Sequence, residues 1–172
     1  MNLMCLTIRE ATQSNAPSII VYTQCLIEEP NIGIPLAPEE FNPTLEEEQK
    51  TLSDYAVSDN SIFLVAEVDG QIIGVLKCKG GKRKATRHVV TLAMSIHKDW
   101  RNQGIGGALM TRAIAWAKAT EIVKRIELFV YAHNTAAIHL YKKYGFEEEG
   151  RLRRAIYQNG EYIDDLIMAL HL

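Results

Sequence analysis

Residues Arg101-Asn102-Gln103-Gly104-Ile105-Gly106 have the composition of an anion cradle. They follow an extended apolar run, Val89 to Ile96, and open a helical pattern in which Ile105, Leu109, Ala113 and Trp116 recur at steps of three and four. The order this predicts is strand, glycine-bearing turn, helix. Glycines carry no Cβ, so a ligand can approach the main chain closely, and the first amides of a helix have no acceptors inside it. Those amides point outward with the positive end of the helix dipole behind them, and an anion such as a pyrophosphate fits there.

Three phosphate-binding turns share this glycine content, and the flanking residues separate them. A P-loop needs Gly-Lys-Ser/Thr, whereas Gly106 and Gly107 are followed by Ala108-Leu109. A dinucleotide-binding turn needs a third glycine and an acidic residue about 20 positions on, and neither is placed correctly here. What remains is Arg-x-x-Gly-x-Gly after a strand, residues 101 to 106. This resembles the acetyl-CoA pyrophosphate turn of the GNAT superfamily of N-acetyltransferases.

A second constellation supports the resemblance. Ile126 to Tyr131 alternates as a strand, and Asn134 then stands as the N-cap of a helix running from Thr135 to Tyr144. Asn134, Ala137, Ile138 and Tyr141 fall on one helical face, and Gly145 ends the helix before Phe146. The strand, the Asn, the Tyr seven residues later and the Gly-Phe closure are similar to the second half of the GNAT cofactor site. The two motifs together cover about residues 89 to 150.

The resemblance implies a division of labour. The turn, Arg101, Asn102, Gln103, Gly104, Ile105 and Gly106, would hold the pyrophosphate of acetyl-CoA as co-substrate. Main-chain groups of Met94, Ser95 and Ile96 would pair with the pantetheine arm, with one amide polarising the carbonyl, and Asn134 and Lys143 would add polar contacts. Tyr141 is the expected general acid. A phenol near pKa ~10 gives its proton to a thiolate of pKa ~8.5 only against about 2 kcal/mol, so stabilisation by a hydrogen bond accompanies any transfer.

The base is open. Some relatives carry a glutamate early in the strand before the turn, where this chain has Val90-Thr91 and its nearest titratable group is His88. Deprotonation through water is the default, and it favours an α-amine. At pH 7 an α-amine of pKa ~7.8 is neutral about one time in seven, a lysine-like amine only about once in 2,500. Against this stands an acidic concentration, Glu28, Glu29, Glu39, Glu40, Glu46, Glu47 and Glu48, which suits a polyamine or simply solvates a helix.

These residues need a frame. The pattern predicts a strand over Leu3 to Arg9, a helix over about 14 to 27, a proline-rich loop to Pro43, and a helix from Leu45 to about Val57 opened by a Thr44/Glu47 capping box. Ile62 to Val68 and Gln71 to Lys79 form a hairpin about Asp69-Gly70, and Phe146 to Tyr157 and Tyr162 to Ala169 another about Asn159-Gly160. The basic loop Gly80 to His88 reads as a solvated hairpin tip. The fold class is α+β: seven strands in a mixed, mostly antiparallel sheet, four flanking helices and, as the resemblance implies, a splayed central strand pair.

Composition sets the remaining bounds. At 172 residues, 47% hydrophobic and 23% charged, the chain reads as one domain, 1–172. A net charge of -2 argues against nucleic acid as a partner, and no apolar run suits a membrane. Three scattered cysteines fit a reducing, cytoplasmic setting, and the five histidines show no metal spacing. The expected function is acetyl transfer to a primary amine of a small molecule, amino-acid-like or polyamine, by direct attack in a ternary complex. Acetylation of a protein N-terminus or lysine, or non-catalytic acyl-CoA sensing, are the alternatives. The resemblance also admits a homodimer through the C-terminal hairpin.

Overall fold

The computed structural model describes residues 6–172. Strand β1 (Leu6–Glu10) leads through a short 3-10 turn into helix α1 (Ala16–Ile27). A long loop precedes helix α2 (Leu45–Ala56), followed by strands β2 (Ile62–Val68), β3 (Gln71–Gly80) and β4 (Val89–Ile96). Helix α3 (Ile105–Ala119), strand β5 (Arg125–Tyr131) and helix α4 (Thr135–Lys143) come next, and strands β6 (Glu147–Gln158) and β7 (Glu161–His171) close the chain. The seven strands lie in the order β1-β2-β3-β4-β5-β7-β6. All neighbours are antiparallel except β4 and β5. The expected count of strands and helices is met; the start of the first strand, residues 3 to 5, lies outside the described residues.

Local chemistry sets most boundaries. Thr44 Oγ1 accepts from Glu47 N at 3.2 Å while Glu47 Oε2 accepts from Thr44 N at 2.8 Å, the reciprocal box that opens α2. Asp69 and Gly70 take φ of 49° and 80°, and Asn159 and Gly160 take 54° and 81°, the double positive-φ signature of tight hairpin turns.

The sheet is covered on both faces. On one, α3 packs Ile105, Leu109, Met110, Ala113 and Ala117 against Leu64, Leu76, Val90, Leu92, Ile126 and Leu128. On the other, α1 and α2 bring Ile19, Tyr22, Leu26 and Leu52 onto Phe63, Val65 and Val75. The alternation of apolar residues along β2 and β3 serves both layers. Beyond β4 the second layer stops, and Phe129 on β5 is left 49% exposed.

Between β4 and β5 the ladder is short. Only Val89, Val90 and Thr91 pair with Arg125, Ile126 and Glu127, although the strands continue to Ile96 and Tyr131. The central pair therefore parts after three residues, as expected of a splayed sheet.

Candidate active site

The register decides which main-chain groups face this opening. His97 donates its amide to Ile73 O on β3 at 2.9 Å, so by alternation the groups of Ser95 also turn toward β3. Those of Met94 and Ile96 turn the other way, toward the opening. The Ile96 carbonyl is met by Arg101 Nε at 3.0 Å. Met94, past the end of the β4–β5 ladder, has no strand partner on that edge. Of the three β4 residues expected to meet the pantetheine arm, Met94 and Ile96 turn their main-chain groups toward the opening and Ser95 turns its own toward β3. Ser95 instead accepts or donates through Oγ to the Tyr22 hydroxyl, 3.1 Å away on α1.

At the end of β4 the chain makes the expected turn. Asn102 and Gly104 take φ of 61° and 82°, and an added Cβ at Gly104 meets nothing within 4 Å. The left-handed conformation favours glycine there, and the space beside it is open. Ala108 N donates to Gly104 O at 3.0 Å, closing the first turn of α3, and Gly104 supplies no side-chain cap. The amides of Ile105, Gly106 and Gly107 precede that first helical bond and have no acceptor within α3. Arg101, Asn102 and Gln103 are exposed and Ile105 is buried. Gln103 Nε2 donates to Asp99 O at 2.9 Å, bracing the turn rather than reaching away from it.

Arg101 does more than its position in the motif suggests. Besides holding Ile96, its guanidinium makes a short ion pair with Glu29, whose side chain is 9% exposed and also accepts from Lys98 N at 3.4 Å. Glu29 sits just past α1, so the long loop is tied to the turn across 72 positions. In the sequence it is one glutamate of an acidic run, and no local signal marks it. Tyr22, against Ser95 and near Glu29, carries no local mark in the sequence either. Burial raises its phenol to about 12.

Helix α4 supplies the other wall. Asn134 caps it through Oδ1, which accepts from Ala137 N at 3.2 Å and leaves the side-chain amide nitrogen for other partners. Lys143 is exposed in the last turn. Tyr144 donates its hydroxyl to Gly107 O at 2.9 Å, stitching the end of α4 to the first turn of α3. Tyr141 lies within the main core, 7% exposed, with Phe146 at 5.8 Å between ring centroids. Its hydroxyl makes no hydrogen bond among the described residues, yet the one fully buried side-chain polar atom without a partner there is Asp165 Oδ1. The phenol oxygen therefore keeps contact with solvent. Burial pushes Tyr141 up to about 12.

These features fit an elongated phosphate-bearing ligand: open amides at the turn, a bare strand edge leading from it, and a neutral phenol on the adjoining helix. Sheet, splay and turn together have the form of the GNAT acetyltransferase fold. Residues 32–146 match the acetyltransferase (GNAT) family, and the chain belongs to that family. It is 40% identical over 106 residues to the L-amino acid N-acetyltransferase AaaT of Escherichia coli, a match spanning 62% of this chain and 65% of that relative. An N-alpha-acetyltransferase of Sulfurisphaera tokodaii is 36% identical over 120 residues, 64% of this chain and 69% of its own length. Among solved structures, the acetyltransferase of GNAT family from Streptococcus pneumoniae superposes with a TM-score of 0.93 at 35% identity, covering 98% of this chain and 100% of its own. Among the described residues no helix is long and apolar enough to cross a membrane, and no group of three or more His, Cys, Asp and Glu side chains suits a metal ion.

Proposed function

We propose that this protein transfers the acetyl group of acetyl-CoA to the α-amino group of an amino-acid-like small molecule, by direct attack in a ternary complex. The observation that carries the reading is the unpaired edge of β4 running into the outward amides of the 104–107 turn. When bound, acetyl-CoA supplies a thioester carbonyl and a thiolate leaving group. The turn amides hold the diphosphate, Arg101 fixes the angle between strand and turn, and the open main chain of Met94 aligns the arm. Asn134 and Lys143 contact the donor from the α4 side.

Tyr141 places a neutral hydroxyl against the departing sulfur. With its pKa near 12, proton transfer to a thiolate of ~8.5 is uphill by about 3.5 units, on the order of 5 kcal/mol. Its role is hydrogen-bond donation, with solvent delivering the proton. Amine deprotonation runs through water. That chemistry favours an α-amine over a lysine side chain, and the 40% identity to an L-amino acid N-acetyltransferase agrees.

A peptide N-terminus is the second reading, favoured by the likeness to an N-alpha-acetyltransferase. Thiol release from acetyl-CoA, measured with L-amino acids, diamines and short peptides, separates them. Release with free L-amino acids is expected. Release with peptides alone moves the assignment to the second reading, and acetyl-CoA stabilisation with no amine-dependent release reduces the protein to a sensor.

A further inference from the structure

The long loop between α1 and α2 is tied down just past the ends of β4 and β5. At one point Glu29 pairs with Arg101 and accepts from Lys98 N at 3.4 Å, beyond the end of β4. At another, Gly33 takes a φ of 73° and rests against the far strand. A Cβ added there would stand 3.5 Å from Asn134 Nδ2 and 3.9 Å from the ring of Tyr131, the last residue of β5. Strands β4 and β5 are parallel and pair only through residues 89–91 and 125–127, so the opening between them widens toward Ile96 and Tyr131. Residues 29–34 therefore form a strap across its wide end.

One side chain holds the far end of this strap. Gln158, the last residue of β6, is half-buried and uses both ends of its amide inside the protein: Oε1 accepts from the Tyr131 hydroxyl at 3.0 Å, and Nε2 donates to Ile34 O at 3.0 Å. Tyr131 is itself buried, so these two bonds fix the strap, β5 and the β6–β7 hairpin to one another. Between strap and hairpin is a cavity of about 110 Å³ whose lining includes Asn31, Gly33, Tyr131, His133, Gln158 and Glu161. At roughly 30 Å³ per water it has room for about four waters, the bulk of one small polar group. An extended peptide advances about 3.3 Å per residue, so a second residue finds no room unless the strap lifts.

We propose that Gln158 is a specificity-determining residue of this enzyme: by holding Ile34 it keeps the strap down over the cavity, so that a single small amine is admitted and a peptide chain is not. The assignment rests on the acetyltransferase reading above and sets the size its acceptor must have. An amine of one residue fits beside the strap and leaves the Gln158–Ile34 bond intact. A longer acceptor lifts the strap and breaks that bond, which costs it about 5- to 10-fold in affinity. Gln158 acts through the main chain of Ile34, and its signature is the ratio between acceptors rather than a uniform loss of both.

The test uses the full chain saturated with CoA, which cannot react. Calorimetric titration with two probes, L-leucinamide and the tripeptide amide Leu-Gly-Gly-NH2, compares wild type with Gln158→Met, which keeps the length of the side chain and loses its hydrogen bonds. Wild type should bind leucinamide more tightly than the tripeptide. Gln158→Met should bind the tripeptide about 5- to 10-fold more tightly than wild type does, with leucinamide affinity within about twofold and acetyl-CoA-induced thermal stabilisation kept. Tyr131→Phe, which removes only the hydroxyl that orients Gln158, should move the ratio in the same direction and serves if the methionine variant misfolds. Equal affinity for the two probes in wild type overturns the proposal, as do a ratio unchanged in both variants and failure of leucinamide to bind wild type. Absence of amine-dependent thiol release from acetyl-CoA, alongside a ratio that shifts as expected, defeats the transferase reading and leaves the strap standing.

Discussion

Replacing Gly104 by alanine separates the two demands that the phosphate turn makes on its main chain. With φ at 82° the new Cβ strains the backbone by about 1–2 kcal/mol, and it also occupies the open space beside the amides. Gly70 is a matched control, with φ at 80°, nothing within 4 Å of an added Cβ, and a place in the β2–β3 turn. Each alanine variant should lose about 2–8 °C of ligand-free melting temperature, since 1 kcal/mol shifts a domain of this size by about 2–4 °C. Only Gly104→Ala should lose the response to acetyl-CoA. At a hundredfold excess over Kd a ligand stabilises by about 2.7 kcal/mol, or about 5–10 °C; a hundredfold loss of affinity leaves about 0.4 kcal/mol, roughly 1 °C. Thermal denaturation with and without acetyl-CoA reads both quantities. A full acetyl-CoA shift in Gly104→Ala, or an equal loss in Gly70→Ala, refutes the assignment of the diphosphate to these amides.

Tyr141→Phe should lower kcat about 100-fold or more while the acetyl-CoA thermal shift is kept, because the hydroxyl makes no hydrogen bond among the described residues; an unchanged kcat removes Tyr141 from the chemistry. Glu29→Gln should release the long loop from Arg101, seen as faster proteolysis within residues 28–44 and a raised acceptor KM; unchanged cleavage would mean the pair holds nothing. Acid melts of wild type and Glu149→Gln test the β5–β6–β7 corner, where Arg125 and then His171 hold the Glu149 carboxyl down at about 2. A depressed folded pKa contributes stability above the unfolded value of 4.5 and loses it as pH falls toward 2. The two melting temperatures should differ at pH 7 and converge near pH 2, and a gap independent of pH would contradict the linkage.

How far the sequence could be read follows from how far apart the interacting residues lie. The capping box spans Thr44 to Glu47, the hairpin turns are adjacent pairs, and the glycine-bearing turn before α3 is contained in residues 101 to 106. Each carries its own geometry, so it was legible. Glu29 meets Arg101 across 72 positions, Tyr22 meets Ser95 across 73, and Gln158 meets Ile34 across 124. No periodicity encodes such meetings. The acidic run illustrates the limit: seven glutamates look alike in sequence, but the fold leaves Glu28, Glu39, Glu40, Glu46 and Glu47 in solvent, buries Glu48 and spends Glu29 on the turn. Asp164 and Asp165 are adjacent and chemically identical, and only the pleat assigns one to arginine and the other to a dry, unpaired position.

The three-residue seam between β4 and β5 has an energetic meaning of its own. A molecule forcing its way between two fully zipped strands must break every hydrogen bond it replaces. Here the zipper stops at Thr91, and the apolar core beneath α3 takes residues from both strands. A guest that lays its own amides along the Met94 edge of β4 therefore adds rungs to the ladder without first removing an interstrand bond.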